Sequence, residues 1–190
     1  MRLILATASP RRHDLLARIG VEPDAVVPAD VDESVPKGEL PRDHALRLAR
    51  EKAEAVAKFE PGALVLAADT VVAVGRRILP KVEDEATLRA CMALLSGRRH
   101  RVLTGVALAA PDGTIRERLV ETMIAIKRLS PQEIDYYASH GEWRGKAGGY
   151  ALQGYGEVYV RHIAGSYSNV VGLPLAETRN LLKSAGYPLA

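Results

Sequence analysis

Two polar residues, Asp69 and Thr70, interrupt the apolar stretch "LAADTVV". Burying a carboxylate among apolar residues is unfavourable unless a cation, a metal ion or hydrogen bonds accompany it. Asp69 is therefore the sharpest local signal in this chain, and it indicates a carboxylate that is paired with a cation or bound to a metal ion. The alternative is an aspartate at the end of a strand whose hydrogen bonds go only to backbone groups.

Two arginines follow a helix start near the N-terminal end of the sequence. Ser9 suits the cap position and Pro10 suits the first helical position, so "SPRRHDLL" predicts a helix with Arg11 and Arg12 in its first turn. Each cation there opposes the helix dipole at a cost of about 0.3–1 kcal/mol. A phosphate would offset that cost, because free helix N–H groups and guanidinium groups both bind it. Two solvated arginines on an exposed turn are the alternative.

An acidic loop and two lysines extend this set. The loop "PADVDES" contains Glu33, and its carboxylates taken alone are typical of solvated turn residues. If Glu33 meets Asp69 in space, the two carboxylates form an oxygen site suited to Mg²⁺ or Mn²⁺. Lys52, in a helical pattern, and Lys81, after the Asp69 strand, are candidates for contacting phosphate oxygens.

The elements that must position these residues alternate between strand-like and helix-like patterns, which indicates an α/β fold. Strands are predicted at 2–6, 63–74, 101–110 and 115–126. Helices are predicted at 9–19, 43–59, 84–96, 130–140 and 175–184. The helix at 130–140 begins with a capping box, and the glycine-rich segment 141–172 is predicted to be irregular apart from "EVYVRHI". The basic stretch "SGRRHRV" is interpreted as positive charge that complements the end of the helix before it.

The composition indicates one domain over residues 1–190, or two small lobes with a cleft between them. The single cysteine, Cys91, lies in an apolar helix pattern and is predicted to be a core thiol. No uninterrupted run of 18 apolar residues occurs, and the N-terminal apolar run is short, so a cytoplasmic protein without a membrane partner is expected.

The charge balance points to an anionic ligand, since the net charge is +3. A nucleic-acid-binding module is the alternative function, but aromatic residues make up only 5% of the chain, and base-stacking surfaces need aromatics among the cations. The glycine-rich dinucleotide fingerprint, the P-loop and the serine-hydrolase elbow are absent from the sequence. The residues alone therefore indicate a metal-assisted α/β protein that handles phosphate.

Several short motifs in a fixed order resemble one family. They are "LATASPRRHDLL", "VDE", "LAREKA", "LAADTVV", "PK", "SGRRHRVLTGV", "GKAGGYALQG" and "GSYSNVVGLPL". Together they span nearly the whole chain and closely resemble the Maf family of nucleoside triphosphate pyrophosphatases, also called septum formation proteins. The resemblance implies an elongated mixed β-sheet flanked by helices, similar to that of inosine triphosphate pyrophosphatases, and a homodimer.

The resemblance also implies an activity. Members hydrolyse a nucleoside triphosphate to its monophosphate and pyrophosphate with a divalent cation, Mg²⁺ or Mn²⁺, in cleaning of nucleotide pools or in control of cell division. Water is expected to attack the α-phosphorus, with Asp69 as proton acceptor and with Glu33 and Asp69 holding the metal. The residues expected to bind the phosphates are Ser9, Arg11, Arg12, Lys52 and Lys81.

Base selection follows from the same resemblance. The subgroup that acts on dTTP and UTP is similar to this sequence at Arg11, Thr70 and Gln153. The amide of Gln153 offers one donor and one acceptor group, which complements the edge of uracil or thymine. The extra methyl group of thymine is worth only about 1–3 kcal/mol in a pocket, so acceptance of both bases is expected.

Overall fold

The computed structural model describes residues 1–189 and has a mixed α/β architecture. The strands are β1 (Leu3–Ala6), β2 (Ala25–Val26), β3 (Leu64–Val74), β4 (Arg77–Leu79), β5 (Lys81–Val82), β6 (Arg99–Ala109), β7 (Ile115–Ile126), β8 (Lys146–Ala147) and β9 (Val160–Ala164). The helices are α1 (Pro10–Ala17), α2 (Pro41–Ala57), α3 (Glu85–Leu95), α4 (Pro131–His140), α5 (Tyr167–Val171) and α6 (Leu175–Ser184), and a 3₁₀ helix spans Tyr155–Tyr159. The predicted fold class, a mixed sheet with flanking helices, is confirmed.

The main sheet has the strand order β2-β1-β3-β6-β7-β9, and β4 pairs with β3. β1 is parallel to β2 and β3, whereas β6, β7 and β9 continue the sheet in antiparallel fashion. The pairing of β1 with β3 ends at Ala6 and Ala67, and β4 joins β3 only from Val72 onward. Over residues 68–71, β3 therefore pairs with β6 on one side and with no other strand of residues 1–189.

Successive side chains of β3 enter the layers on opposite faces of the sheet, as the period of two in a strand requires. Leu64 and Leu66 join a cluster that includes residues of α1 and α6, while Val65 and Ala67 pack with the alanines of α2. α2 approaches β6 closely at Gly105. A Cβ atom added to this glycine would lie 2.6 Å from the carbonyl carbon of Ala45. The glycine therefore allows the backbone of α2 to touch β6.

A separate hydrophobic cluster lies beyond the far half of the sheet. It contains residues of α3 and α4 together with Trp143 and Tyr159. Cys91 of α3 belongs to it and is only 3% exposed, which confirms the prediction of a core thiol, and burial raises the pKa of this thiol. The small sheet of β5 and β8 lies beside this cluster, because Val82 is a member of it.

The long predicted elements are confirmed with ends shifted by at most two residues, and the capping box of α4 is formed by Ser130 and Glu133. The prediction for residues 141–172 was wrong, because β8 and α5 lie within that segment and "EVYVRHI" is divided between a 3₁₀ helix and β9. β4, β5 and β8 were also missed, since a segment of two or three residues carries no periodic pattern. Within residues 1–189, no helix combines the length and the apolar character that crossing a membrane requires.

Candidate active site

A cavity of about 380 Å³ opens at the carboxyl end of β1, beside the free edge of β3. Crevices at such strand ends are the usual ligand sites of open α/β sheets. All the residues that the sequence singled out line this cavity: Ser9, Arg11, Arg12, Glu33, Lys52, Asp69, Thr70, Lys81 and Gln153. The structure therefore brings residues of the first helix together with Gln153 of the glycine-rich segment, although they lie far apart in the sequence.

Two lysines and two carboxylates form a continuous chain of ion pairs in the cavity. Asp69 projects toward α2, where the ammonium of Lys52 contacts its Oδ1 atom at 2.6 Å. The same ammonium lies 2.6 Å from Oε1 of Glu33, and Lys81 contacts the other oxygen of Glu33. Asp69 and Lys52 are only 5% and 6% exposed. The negative charge of Asp69, which the sequence pattern placed in a buried strand, is thus balanced by the ammonium group of Lys52.

The two lysines of this series of ion pairs keep Glu33 ionised. Burial acts to raise the pKa of Glu33, but hydrogen bonds and charges from Lys52 and Lys81 outweigh burial and lower the pKa to about 2. Glu33 is therefore a carboxylate at neutral pH. Its two oxygens face two different cations, so it links the lysine of α2 to the lysine of β5.

The donor set suits a metal ion that arrives together with phosphate oxygens. Glu33 and Asp69 contact the same ammonium group, so both reach one region of the cavity. Among residues 1–189, no group of three His, Cys, Asp or Glu side chains could hold a metal ion on its own. Mg²⁺ is commonly held by one or two protein carboxylates together with substrate phosphates and water. These two residues fit that pattern of binding.

Arg12 is fixed by three hydrogen bonds to uncharged acceptors. Its Nε atom donates to Gly172 O at 2.9 Å, and its terminal nitrogens donate to Oγ1 of Thr7 at 3.2 Å and of Thr70 at 3.3 Å. Burial lowers the pKa of Arg12, which Asp69 opposes by its negative charge. No carboxylate within residues 1–189 forms an ion pair with Arg12, so its charge remains available to an anionic ligand.

The hydroxyl of Thr70 has a defined direction in this network. Thr104 Oγ1 donates its proton to Asn169 O at 3.0 Å, since a carbonyl oxygen can only accept. Thr70 must then donate to Thr104, which lies 3.0 Å away, while it accepts from Arg12. Thr70 can therefore accept one further hydrogen bond but has no proton left to donate.

The side chains of Arg11 and Ser9, at the start of α1, form no hydrogen bond with any part of residues 1–189. Ser9 is the N-cap residue, as predicted, but its side chain makes no capping hydrogen bond. Arg11 forms no hydrogen bond or ion pair within residues 1–189, and burial lowers the pKa of its guanidinium. Both groups are thus free to contact a ligand at the N-terminus of a helix, where an anion is favoured.

Three residues of the cavity wall escaped the sequence analysis: Arg144, Lys146 and Tyr150. β8 carries Lys146 and pairs with β5, which carries Lys81, so this small sheet brings two lysines to the same wall. Burial, followed by the charge of Arg11, lowers the pKa of Lys146. The arginine and lysine of "GEWRGK" were the signal in the sequence for this second basic wall.

Tyr150 is supported by a buried histidine. Its hydroxyl lies 2.7 Å from Nε2 of His100, and burial lowers the pKa of His100 to about 4. His100 is therefore neutral. It is also only 2% exposed, so the interpretation of "SGRRHRV" as positive charge that complements the end of a helix was wrong for this residue. His100 lies on β6, where its side chain enters the core.

The lining of the cavity holds six cationic side chains and two anionic ones. Gln153 is exposed at its rim, with an amide that has no partner within residues 1–189. A cavity with this surplus of positive charge and a free amide fits a ligand that combines several phosphates with a polar ring. The fold and the site define the class of a nucleotide-binding α/β protein.

The comparisons with known proteins place the chain within this class. The family model described as "Maf-like protein" matches residues 2–185, and the chain belongs to this family. It is 62% identical over 184 residues to a dTTP/UTP pyrophosphatase of Novosphingobium aromaticivorans, covering 97% of this chain and 92% of that protein. It is 63% identical over 185 residues to a dTTP/UTP pyrophosphatase of Paramagnetospirillum magneticum, covering 97% of each.

The solved structures extend the likeness to the fold. A HAM1 protein from Coxiella burnetii superposes with a TM-score of 0.54 at 14% identity, covering 97% of this chain and 100% of that chain. At this level of identity the likeness concerns the fold alone. It agrees with the mixed sheet expected from the resemblance to inosine triphosphate pyrophosphatases.

Proposed function

We propose that this chain hydrolyses nucleoside triphosphates, dTTP and UTP above all, to the nucleoside monophosphate and pyrophosphate. The observation that carries this proposal is the cavity at the end of β1, where six cations surround a buried aspartate. Relatives with the printed name dTTP/UTP pyrophosphatase, at 62% and 63% identity over nearly the full chain, support the same reaction.

The cations supply the electrostatic part of catalysis. Arg12 is held in place before the ligand arrives, so little of its conformational freedom is lost on binding. Preorganised cations stabilise the charge that develops on phosphate oxygens in the transition state, and they do so more strongly in a cavity that excludes water. Lys81 and Arg11 approach from different walls, which allows each to neutralise a different phosphate.

Asp69 is the proposed acceptor for the proton of the attacking water. In the proposed step the water oxygen bonds to the α-phosphorus, the bond between that phosphorus and the bridging oxygen breaks, and pyrophosphate leaves with the electron pair. An aspartate is a weak base, with an ordinary pKa of about 3.9. Glu33 and Asp69 would hold Mg²⁺ or Mn²⁺, which lowers the pKa of bound water and compensates for that weakness.

We propose that Arg11, Thr70 and Gln153 select the base of the nucleotide. Thr70 offers one acceptor position and no donor, because its proton is engaged by Thr104. An acceptor of this kind suits an N–H group, such as the ring N–H of uracil or thymine. The free amide of Gln153 adds one donor and one acceptor for the rest of the base edge.

The nucleic-acid-binding alternative finds less support. Its cations should form an exposed stripe that follows a phosphate backbone, with aromatic residues between them. Here Arg11, Arg12 and Lys52 line a concave cavity that also contains two carboxylates. Carboxylates at the centre of a phosphate site are useful for holding a metal ion and for accepting a proton, and both uses belong to an enzyme.

The product of the reaction is the test. Purified protein is incubated with Mg²⁺, and separately with Mn²⁺, and with a panel of canonical and modified nucleoside triphosphates, and pyrophosphate is measured apart from orthophosphate. The proposal expects pyrophosphate and the monophosphate in equal amounts, fastest from dTTP and UTP. Release of orthophosphate, or no product with either metal, would contradict it.

We further propose a homodimer, which the family resemblance implies, and the cytoplasmic location that was expected from the sequence. Light scattering during gel filtration tests the first, and fractionation of cells that produce the protein tests the second. A monomer at all concentrations would contradict the proposed homodimer.

A further inference from the structure

Glu142, in the turn after α4, binds two consecutive backbone amides of a distant segment. Its Oε2 atom accepts from Tyr155 N at 3.0 Å and its Oε1 atom accepts from Gly156 N at 2.9 Å. Hydrogen bonds to an ionised acceptor are about twice as strong as neutral ones. The carboxylate also lies at the positive end of the 3₁₀ helix Tyr155–Tyr159. This one side chain therefore fixes the start of that helix.

The sequence makes room for this contact at Gly154. A Cβ atom added to Gly154 would lie 2.9 Å from Cδ of Glu142 and would also meet its oxygens. The φ angle of Gly154 is −128°, which any residue adopts. Glycine is needed here for space and not for its backbone freedom. The close approach of Glu142 is thus a specific feature of the chain.

The segment is anchored at its other end by Tyr137. The hydroxyl oxygen of this buried tyrosine accepts from Ala151 N at 3.1 Å. Gln153 lies between the two anchors, at the rim of the cavity. Its own side chain is exposed and makes no hydrogen bond within residues 1–189. The position of Gln153 therefore depends on Glu142 and Tyr137, which hold the backbone on either side of it.

We propose that Glu142 is a positioning residue for nucleobase selection, acting by holding the loop 151–156 so that the amide of Gln153 meets the base edge. This inference rests on the proposed function. Glu142 does not line the cavity. Its charge acts on Lys146 of the cavity wall, but the hydrogen bonds of its carboxylate go to the segment that carries Gln153. It is expected to control discrimination between bases and not the rate of the chemical step.

The test uses Glu142→Gln with Glu157→Gln as the matched control. Glutamine keeps the size of the side chain but turns an NH₂ group toward a backbone N–H, so one hydrogen bond is lost. Glu157 lies in the same 3₁₀ helix, and its exposed carboxylate makes no hydrogen bond or ion pair within residues 1–189. The quantity measured is kcat/KM for UTP divided by kcat/KM for ATP. We expect about a tenfold fall in Glu142→Gln, which equals about 1.4 kcal/mol, and no change in Glu157→Gln.

Two readouts separate positioning from general structural damage. In Glu142→Gln, KM for UTP should rise while kcat stays within about twofold, because Asp69 keeps its ion pair with Lys52. In a Gln153→Ala background, Glu142→Gln should cause no further change in the UTP-to-ATP ratio, because the residue through which it acts is gone. A change in the ratio that persists without Gln153 would overturn the proposal, as would an unchanged ratio in the single variant.

Amide hydrogen exchange gives a measurement that does not depend on activity. The N–H groups of Tyr155 and Gly156 should exchange faster in Glu142→Gln than in the wild-type protein, while the amides of α2 should not. Gly154→Ala, which displaces the same carboxylate, should reproduce both the faster exchange and the lower ratio. If the wild-type protein releases no pyrophosphate, the proposed function fails and this inference fails with it. An active wild type with an unaltered ratio in both variants defeats this inference alone.

Discussion

Arg11 and Arg12 are neighbours in the sequence with opposite structural roles, and replacing each by alanine separates those roles. Arg12 donates three hydrogen bonds, to Gly172 O, Thr7 and Thr70. Arg11 donates none within residues 1–189. We expect Arg12→Ala to lower both stability and activity, whereas Arg11→Ala lowers activity alone.

The expected loss of stability follows from the partners of Arg12. Without it, Thr7 still accepts from Ser9 N and Thr70 still bonds to Thr104, so both hydroxyls keep a partner. Gly172 O loses the hydrogen bond that it accepts from Arg12. An acceptor deprived of its partner costs about 1–3 kcal/mol, so we estimate about 2–3 kcal/mol with the two weaker bonds included. For a domain of this size that lowers Tm by roughly 4–12 °C.

Arg11→Ala, in contrast, is expected to leave the stability of the protein unchanged. Arg11 makes no hydrogen bond or ion pair within residues 1–189 that its replacement could remove, so Tm should stay within about 2 °C of the wild type. Loss of one charge-assisted contact to substrate, worth about 1.5–3 kcal/mol, should lower kcat/KM for UTP by about 10- to 100-fold. Thermal denaturation and pyrophosphate release are measured on both variants. Equal losses of Tm in the two variants would refute this division of roles.

Three further results are expected. Asp69→Asn should lower kcat by about 10²- to 10⁴-fold, because the proton acceptor is lost. The protein should still fold, because Lys52 keeps its ion pair with Glu33. Retention of most activity would argue against the mechanism. The pKa of Glu33 falls from 4.5 to about 2 on folding, so its stabilising contribution is complete above pH 4.5 and is lost toward pH 2. The stability difference between the wild type and Glu33→Gln, followed by urea denaturation, should shrink over that range, and a constant difference would be inconsistent with the ion pairs. Gly105→Ala should destabilise the protein by about 1–3 kcal/mol, because the added methyl group meets the backbone of Ala45. An unchanged Tm would rule out the close contact of α2 with β6.

Much of the fold could be predicted because its long elements carry strong periodic patterns. β3 and α2 were recognised from an unbroken apolar run and from apolar positions at helical spacing. The segment after α4 could not be predicted in the same way. Its structure depends on single contacts, such as those of Glu142 with the amides of Tyr155 and Gly156, and contacts between residues 13 or more apart leave no local pattern.

The candidate site shows a similar division. Asp69 stood out because a carboxylate in an apolar strand requires compensation. The compensating residue could not be read from the sequence, since Lys52 reaches Asp69 only when α2 crosses the sheet at Gly105. The same lysine also joins Glu33 to Asp69, the two carboxylates that were expected to form a metal site if they met. The wall that carries Lys146 was missed because it depends on the pairing of two very short strands.

Hydrolysis of UTP in water labelled with heavy oxygen tests the central claim most directly. The products are separated and the position of the label is determined by mass spectrometry. Attack of water on the α-phosphorus, in the cavity that contains Asp69, predicts one labelled oxygen in the monophosphate and none in pyrophosphate. A label in pyrophosphate, or in released orthophosphate, would show attack at another phosphorus and would contradict the account.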